Sequence, residues 1–129
     1  MHRIEIPMTP TPKGRPRVTR SGHAYTPKKT REAEEEMKWH LLSQWRQKPL
    51  TGPVSVILRF YMPIPKSYSA KKRKTLDGTA HIKRPDWDNC AKMVCDSMNG
   101  LVIADDSQIW QCTTLKQYSF DPHIEIEIL

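Results

Sequence analysis

The sequence predicts a single α+β domain in which two main helices pack on a small mixed β-sheet. A chain of 129 residues has the length of one domain with one modest core. Two segments carry apolar residues at helical spacing, and the segments around them alternate apolar and polar residues as strands do. The predicted order is strand, long loop, helix, strand, basic loop, helix, strand, strand. Both helices on one face of the sheet would bury every apolar stripe, so we expect a two-layer sandwich over residues 1–129.

The first helix is predicted from its start signal and its apolar stripe. Residues 3–6 form a short opening strand, and the segment after them is too rich in proline for a helix or a central strand, which predicts an extended loop. Thr26-Pro27 begins the helix, because proline is favoured in a first helical turn, and Pro49 ends it. The stripe consists of Ala33, Met37, Leu41 and Trp45.

The segment GPVSVILRFYMPIP is the clearest strand. Every second residue from Val54 to Met62 is apolar, and Ile57 and Tyr61 add apolar surface to the other face. This pattern predicts a central strand that is covered on both sides.

The second helix is predicted over residues 86–98, because Asn99-Gly100 is a strong C-terminal signal. The segments QIWQCTTLKQYS and PHIEIEIL follow as strands. In the last one the isoleucines are expected to face the core, whereas Glu125 and Glu127 face water. The residues expected to be buried on the second helix are Trp87, Cys90, Ala91, Val94 and Met98.

Positive charge is concentrated in two segments. The net charge is +7, and 14 of the 21 Lys and Arg lie in residues 13–31 and 66–84. We define two basic loops, at about residues 8–27 and 66–84, the second with one helical turn near residues 70–76. Such segregation favours binding to a polyanion, because each phosphate contact releases condensed counterions. The alternative is a pair of solvated loops, and both loops are expected to be mobile without a bound partner, since few apolar residues anchor them.

Other features exclude several classes of protein. No run approaches the roughly 18 apolar residues of a membrane span, and the start MHRIEIPMTP lacks a signal-peptide block, so we expect a cytoplasmic protein without membrane contact. Cys90, Cys95 and Cys112 are odd in number and lack zinc-like spacing, which predicts reduced packing residues. No small-molecule cofactor is expected.

Residues 84–109 gather negative charge within this basic chain. They contain five aspartates, namely Asp86, Asp88, Asp96, Asp105 and Asp106. The turn NGLVIADD is predicted to return the chain so that Asp105 and Asp106 begin a strand close to the start of the second helix. Carboxylates brought together in this way suit Mg²⁺ or Mn²⁺, and the basic loops make a phosphodiester the natural substrate.

Each acidic feature also has a structural explanation. Aspartate at a helix start is favoured by capping and by the helix dipole, and Asp105-Asp106 alone is an ordinary turn. Asp88, Lys92 and Asp96 are spaced by four residues, so they share a helix face and could form a salt-bridge ladder. A DNA-binding protein without catalysis therefore stays an alternative, as does a related nuclease that acts on flaps or forks.

The segment RPDWDNCAKMVCDSMNGLVIADDSQI resembles the RusA family of crossover-junction endodeoxyribonucleases, the Holliday junction resolvases of phages and prophages. The family signature is Asp-x-Asp-Asn at a helix start, Lys four residues after the second Asp, and Asp-Asp about 18 residues further on. The segments PKGRPRVTR and AYTPKKTREAEEEM are also similar to members of this family.

This resemblance implies a set of catalytic residues. It makes Asp86, Asp88 and Asp106 the metal-binding catalytic carboxylates, and it gives Lys92 the position of the catalytic lysine. Asp105 is a possible further metal ligand, and the role of Asp96 stays open. The family also implies Mg²⁺, for which Mn²⁺ can substitute, and a homodimer that makes paired nicks in a four-way DNA junction during recombination and repair.

The basic loops would then hold the arms of the junction through phosphates. The residues predicted to bind DNA are Arg15, Arg17, Arg20, Lys71, Lys72, Arg73, Lys74 and Arg84. Tyr25 and Tyr68 could stack on opened bases, although a tyrosine in a loop more often packs. Trp87 and Trp110 could belong either to the core or to a dimer interface.

Overall fold

The computed structural model describes residues 1–14 and 17–129, and of Arg17 it describes the backbone alone. Within these residues the chain forms six strands, three α-helices and one 3₁₀ turn. The elements are β1 (His2–Ile6), β2 (Arg17–Val18), β3 (Ala24–Tyr25), α1 (Lys28–Gln44), β4 (Val54–Pro63), α2 (Ala70–Leu76), α3 (Trp87–Met98), the 3₁₀ turn (Asp106–Gln108), β5 (Ile109–Ser119) and β6 (His123–Ile128).

Four strands form a mixed sheet in the order β1-β6-β4-β5. β6 pairs antiparallel with both β1 and β4, whereas β4 and β5 run parallel. Parallel neighbours need a crossover connection, and here that connection carries α2, α3 and the 3₁₀ turn. The predicted α+β class and the mixed sheet are confirmed.

One hydrophobic core joins α1 and α3 to one face of the sheet. Met37, Leu41 and Trp45 of α1 are buried, so the predicted stripe on this helix is confirmed. From the sheet the core takes alternate residues of β4 and the isoleucines of β1 and β6, and from α3 it takes Cys90, Ala91, Met93, Val94 and Met98. Trp87 is 57% exposed, so the prediction that it is buried is wrong. It lies at the first position of α3, before the helix reaches the core.

The outer face of the sheet differs from the prediction in two ways. The residues of β4 that face away from the core are half-buried, so this strand is central but not covered on both sides. Glu125 is only 8% exposed, which contradicts the expectation that it faces water. The reason is that the Arg3 guanidinium on β1 donates to the Glu125 carboxylate at 2.5 Å. The neighbouring acid Glu127 also has a partner, since it pairs with Arg59 on β4 at 3.0 Å.

Both basic loops contain structure that the sequence analysis missed in part. The first holds the β2–β3 hairpin, whose turn uses Gly22 at a φ of +87°. The second holds α2, as predicted, with the Ser69 hydroxyl capping its start by accepting from the backbone N–H of Lys72. The second loop is nevertheless attached to β5, because Gly78, Thr79 and His81 form backbone hydrogen bonds with Tyr118 and Lys116. In addition, the Arg73 guanidinium lies over the ring of Phe120.

No helix in the described part of the chain is long and apolar enough to cross a membrane. The three thiols are unpaired with one another, as predicted for reduced cysteines. Burial raises the pKa of Cys90 to about 11 and that of Cys95 to about 12, so neither is a reactive thiolate at neutral pH.

Candidate active site

The start of α3 presents two exposed carboxylates. Asp86 is the N-cap residue, yet its side chain makes no capping hydrogen bond, and Asp88 lies in the first turn. The partial positive charge of a helix N-terminus stabilises anions at these positions. Neither carboxylate has a hydrogen bond or an ion pair within the part of the chain that the structure describes, so both are available to a ligand.

Lys116 on β5 fixes the segment that leads into α3. Its ammonium donates to the backbone carbonyl of Lys83 at 2.7 Å and to that of Pro85 at 2.5 Å. The segment ends immediately before Asp86, so these two hydrogen bonds determine where the helix begins. Sequence analysis missed this residue, although a lysine at a half-buried strand position was a signal that its charge has a partner.

The two aspartates of the Asp105-Asp106 pair have different contacts. The Asp105 carboxylate accepts the backbone N–H of Ser107 at 3.0 Å, and the side chain of Gln108 accepts the N–H of Asp105 at 2.7 Å. This capping box starts the 3₁₀ turn, and the hydrogen bonds from Ser107 lower the pKa of Asp105. Asp106 is half-buried and has no such bond to a described residue. The pair begins a 3₁₀ turn and not a strand, which corrects the prediction.

Asp96 is held by two lysines. Its Oδ2 lies 3.3 Å from the Lys13 ammonium and 3.7 Å from that of Lys92. Lys13 also pairs with Glu34 of α1 at 3.0 Å, so the first basic loop is tied to both helices. Asp96 is therefore engaged in holding the loop and the helix face together.

The electrostatic field around α3 locates the acids along the helix. After burial, which is the main cause, the charges of Asp86 and Asp88 contribute to the raised pKa of Cys90. In the same way the charge of Asp106 contributes to the raised pKa of Cys95. The 3₁₀ turn contacts α3 directly. Asp86 and Asp88 thus lie at the start of α3, and the 3₁₀ turn that carries Asp106 packs against the same helix.

These carboxylates do not form a ready-made metal cluster. Among residues 1–14 and 17–129, no three His, Cys, Asp or Glu side chains are grouped closely enough to hold a metal ion. Carboxylates repel one another, so they come to share a single point only when a cation lies between them.

A cleft of about 810 Å³ opens beside the start of α3. Its walls come from residues 9–14, from the first turn of α1 and from residues 84–86, and they include the cations Lys13, Lys29 and Arg84. The loop approaches α1 closely, because the backbone N–H of Gly14 donates to the Thr30 hydroxyl at 3.2 Å. A methyl group at Gly14 would lie 2.4 Å from that hydroxyl, so the contact requires glycine.

The residues predicted to bind DNA fall into three groups. Arg84 lines the cleft, and Arg20 is exposed at the turn of the β2–β3 hairpin. On α2, Lys71, Lys72 and Lys74 are exposed, whereas Arg73 is half-buried. Arg15 and the side chain of Arg17 lie outside the described residues.

Two comparisons with known proteins concern this site. A family model with the description "Endodeoxyribonuclease RusA" matches residues 7–129, a range that contains every candidate site residue named above. A protein of Bacillus subtilis (strain 168) named "Uncharacterized protein YqaN" is 36% identical over 127 residues, and the match covers 92% of this chain and 89% of that protein. The similarity therefore concerns the whole domain and is not confined to the acidic segment.

Proposed function

Because this chain belongs to the RusA family of endodeoxyribonucleases and is a nuclease, we propose that it resolves four-way DNA junctions by paired symmetric nicks that depend on Mg²⁺. Such a role belongs to DNA recombination and repair in the cytoplasm of a bacterial or phage-infected cell.

The observation that carries this proposal is the meeting of free carboxylates and a basic cleft at the start of α3. Asp86 lines the cleft, whose other walls carry Lys29 and Arg84. Cations on the walls attract a DNA backbone and fix its path, since each phosphate contact releases counterions. Asp86 would then lie beside the bound phosphate, with Asp88 in the first turn of the same helix.

A divalent cation fits the chemistry of these groups. Asp86, Asp88 and Asp106 offer hard carboxylate oxygens, which Mg²⁺ and Mn²⁺ prefer, and they would hold the ion after their side chains turn toward a common point. When bound, the ion would activate a water and neutralise charge on the scissile phosphate. Asp105 is the weaker candidate for a ligand, because its Oδ2 already accepts from Ser107.

The chain's own cations complete the proposed chemistry. Lys92 has a side chain that is 63% exposed, on the same helix as Asp86 and Asp88, so it can turn from Asp96 toward a phosphate oxygen. There its ammonium would stabilise the negative charge that develops on the leaving oxygen. The N-terminus of α3 adds a favourable field for the same anion.

Paired nicks require two active sites, which we propose are supplied by a homodimer. A two-fold dimer would present equivalent sites to a junction that is itself nearly symmetric. Trp87 and Trp110 are 57% and 70% exposed, so both are available for such an interface. Sedimentation analysis of the wild type and of Trp110→Ser would test it, with a monomeric wild type as the contradicting result.

Cleavage of defined substrates tests the proposed function. The protein is incubated with a synthetic four-way junction, a linear duplex and a flap, with Mg²⁺ or with EDTA. We expect paired nicks in the junction that require Mg²⁺. Asp86→Asn should lower the cleavage rate at least about 100-fold and leave junction affinity within a few-fold, because it removes a metal ligand and no phosphate contact.

The other outcomes separate the alternatives. Preferred cleavage of the flap would indicate a related nuclease with a different substrate. Binding of the junction without any cleavage by the wild type would indicate a DNA-binding protein. Retained cleavage by Asp86→Asn would remove Asp86 from the mechanism.

A further inference from the structure

A second pocket, of about 300 Å³, adjoins the cleft. The two cavities share Thr9, Pro10, Arg84 and Pro85 in their walls, so they are direct neighbours on the surface. None of the candidate catalytic residues lines this second pocket. Its own walls are aromatic and basic, with Tyr68, His81, Lys83 and Tyr118.

Tyr68 is held in a fixed orientation at this pocket. The Lys72 ammonium lies 3.8 Å from the centre of its ring, and the Lys83 ammonium donates to its hydroxyl at 3.1 Å. Both lysines come from the second basic loop, and neither covers the whole ring. The ring is therefore positioned in advance of any ligand, and a cation on it favours stacking of a second flat ring without a further loss of side-chain freedom.

His81 supplies a polar group in an otherwise apolar corner. It is 9% exposed, and its ring meets that of Tyr118 edge to face at 4.7 Å. Its Nδ1 is buried without a hydrogen-bond partner among the described residues. Burial, followed by the charge of Lys116, lowers the pKa of His81, so the ring is neutral at pH 7 and carries one donor and one acceptor nitrogen.

The chemistry of the walls defines the ligand. The flat rings of Tyr68 and Tyr118 favour a ligand with a flat ring. The neutral imidazole of His81 can form hydrogen bonds with that ring. Lys83, and Arg84 at the side of the cleft, favour a phosphate attached to it. One nucleotide has all three features. The pocket adjoins the cleft that would hold the DNA backbone, so a base bound in it would lie next to a phosphate in the cleft.

We propose that the pocket formed by Tyr68, His81 and Tyr118 takes up one unstacked nucleobase of the DNA next to the phosphate in the cleft. In the open form of a four-way junction the base pairs at the crossover lack a stacking neighbour on one side, so removing one of their bases from the stack costs less than it does in a continuous duplex. This inference rests on the proposed junction substrate, and it adds a contact through which base identity affects binding.

Binding of junctions with single abasic sites tests the pocket without any cleavage. Anisotropy is measured in EDTA on a set of junctions, each lacking one base near the crossover. We expect one position at which removal of the base weakens binding roughly 5- to 150-fold, the range that corresponds to loss of one stacked base. Tyr68→Ala should weaken binding of the intact junction by a similar factor. The combination of the variant with that abasic site should be no weaker than either alone, because both remove the same contact.

Two further variants identify the ring and the polar group. Tyr68→Phe keeps the ring and loses the hydroxyl, so we expect its affinity for the intact junction to stay close to that of the wild type. His81→Phe preserves the packing and removes the ring nitrogens. Junction affinity is then measured with each of the four bases at the sensitive position. We expect the range of log Kd among the four bases to be less than half as wide for His81→Phe as for the wild type.

The contradicting outcomes are distinct from failure of the proposed function. A flat abasic profile, or losses from Tyr68→Ala and from the abasic site that multiply, would overturn the pocket assignment even if Mg²⁺-dependent cleavage of the junction is seen. A single sensitive position that depends on Tyr68 would sustain the assignment even if the wild type cuts no junction.

Discussion

At the scale of single residues, the adjacent aspartates Asp105 and Asp106 have different contacts. Asp105 uses its carboxylate to cap the 3₁₀ turn, whereas Asp106 has no partner in the described part of the chain. A carboxylate that already accepts a backbone N–H loses that bond when it turns to a metal. These contacts favour Asp106 over Asp105 for the proposed metal-binding role.

Asparagine substitutions at the two positions should therefore differ. We expect Asp106→Asn to lower Mg²⁺-dependent cleavage at least about 100-fold, because an amide is a poor replacement for a metal-binding carboxylate. Asp105→Asn is the matched control, since asparagine caps nearly as well as aspartate, and it should stay within a few-fold of the wild type. Equal loss in both variants would contradict the assignment.

Lys116 offers a second test at this scale. Lys116→Met keeps the length of the side chain but removes both hydrogen bonds to the carbonyls of Lys83 and Pro85. We expect the free energy of unfolding to fall by about 1.5–3 kcal/mol, the usual contribution of a hydrogen bond to a charged group. The Mg²⁺ concentration that gives half-maximal cleavage should rise several-fold, because Asp86 loses its fixed position.

The Mg²⁺ dependence of cleavage shows whether Lys116 positions Asp86 or only stabilises the fold. Lys48→Met, at an exposed position, controls for the loss of one positive charge. A Lys116→Met enzyme that is less stable but needs no more Mg²⁺ would show that this lysine has a purely structural role.

At the scale of the elements, the sequence was informative where apolar periodicity was strong. The stripe on α1, the alternation of β4 and the glycine after α3 each follow from local preferences that the sequence displays directly. Glu125 was assigned to water because alternation cannot reveal that Arg3 lies across from it on a strand more than 100 residues earlier. The alternation after Asp105 and Asp106 predicted a strand there, but it does not reveal that Asp105 and Gln108 form a capping box through the backbone N–H groups of Ser107 and Asp105.

The ion pair between Arg3 on β1 and Glu125 on β6 makes the free energy of unfolding depend on pH. Burial raises the pKa of Glu125, but hydrogen bonds from Arg3 and Tyr61 outweigh it, so the pKa is lowered overall. A lowered pKa means that the folded state favours the charged form. This contribution is present above the unfolded pKa of about 4.3 and is lost as the pH falls through the folded value.

Urea unfolding between pH 3 and pH 7 measures this contribution. We expect the wild type to lose stability toward pH 3 more steeply than Glu125→Gln, which cannot titrate at this position. The His123 ring lies 3.6 Å from the carboxylates of both Glu5 and Glu125, so the difference between the two curves measures Glu125 together with its contact to His123. Parallel curves would contradict the predicted linkage.

At the scale of the whole molecule, the fold separates cations that already have a partner from cations that are exposed to solvent. Lys13 pairs with two acids, Lys72 lies on Tyr68, and Arg73 lies on Phe120. Lys71 and Lys74 are exposed on α2. The sequence predicted a basic surface correctly, but it could not show which cations are already engaged, because their partners are distant along the chain.

Salt dependence of junction binding tests this division. Lys71→Ala/Lys74→Ala should reduce the slope of log K against log salt by about 1 to 2, since each lost phosphate contact changes it by about 0.9. The control is Arg46→Ala/Lys48→Ala, which removes the same charge. These residues lie beyond the C-terminus of α1, roughly 25 Å from the cleft at its N-terminus by helix length. An equal change of slope in both double variants would show a general effect of net charge.

The crossover between β4 and β5 has a consequence for the order of folding. Every candidate catalytic residue lies within this connection, as do Tyr68 and His81 of the second pocket. The strands that the connection joins pair residues as distant as Leu58 and Thr114. Contacts of such long sequence separation close slowly, whereas a basic segment attracts DNA before it is ordered. If DNA binds as proposed, we expect a newly made chain to acquire affinity for DNA before its catalytic centre is assembled, so an incompletely folded nuclease would bind DNA without cutting it.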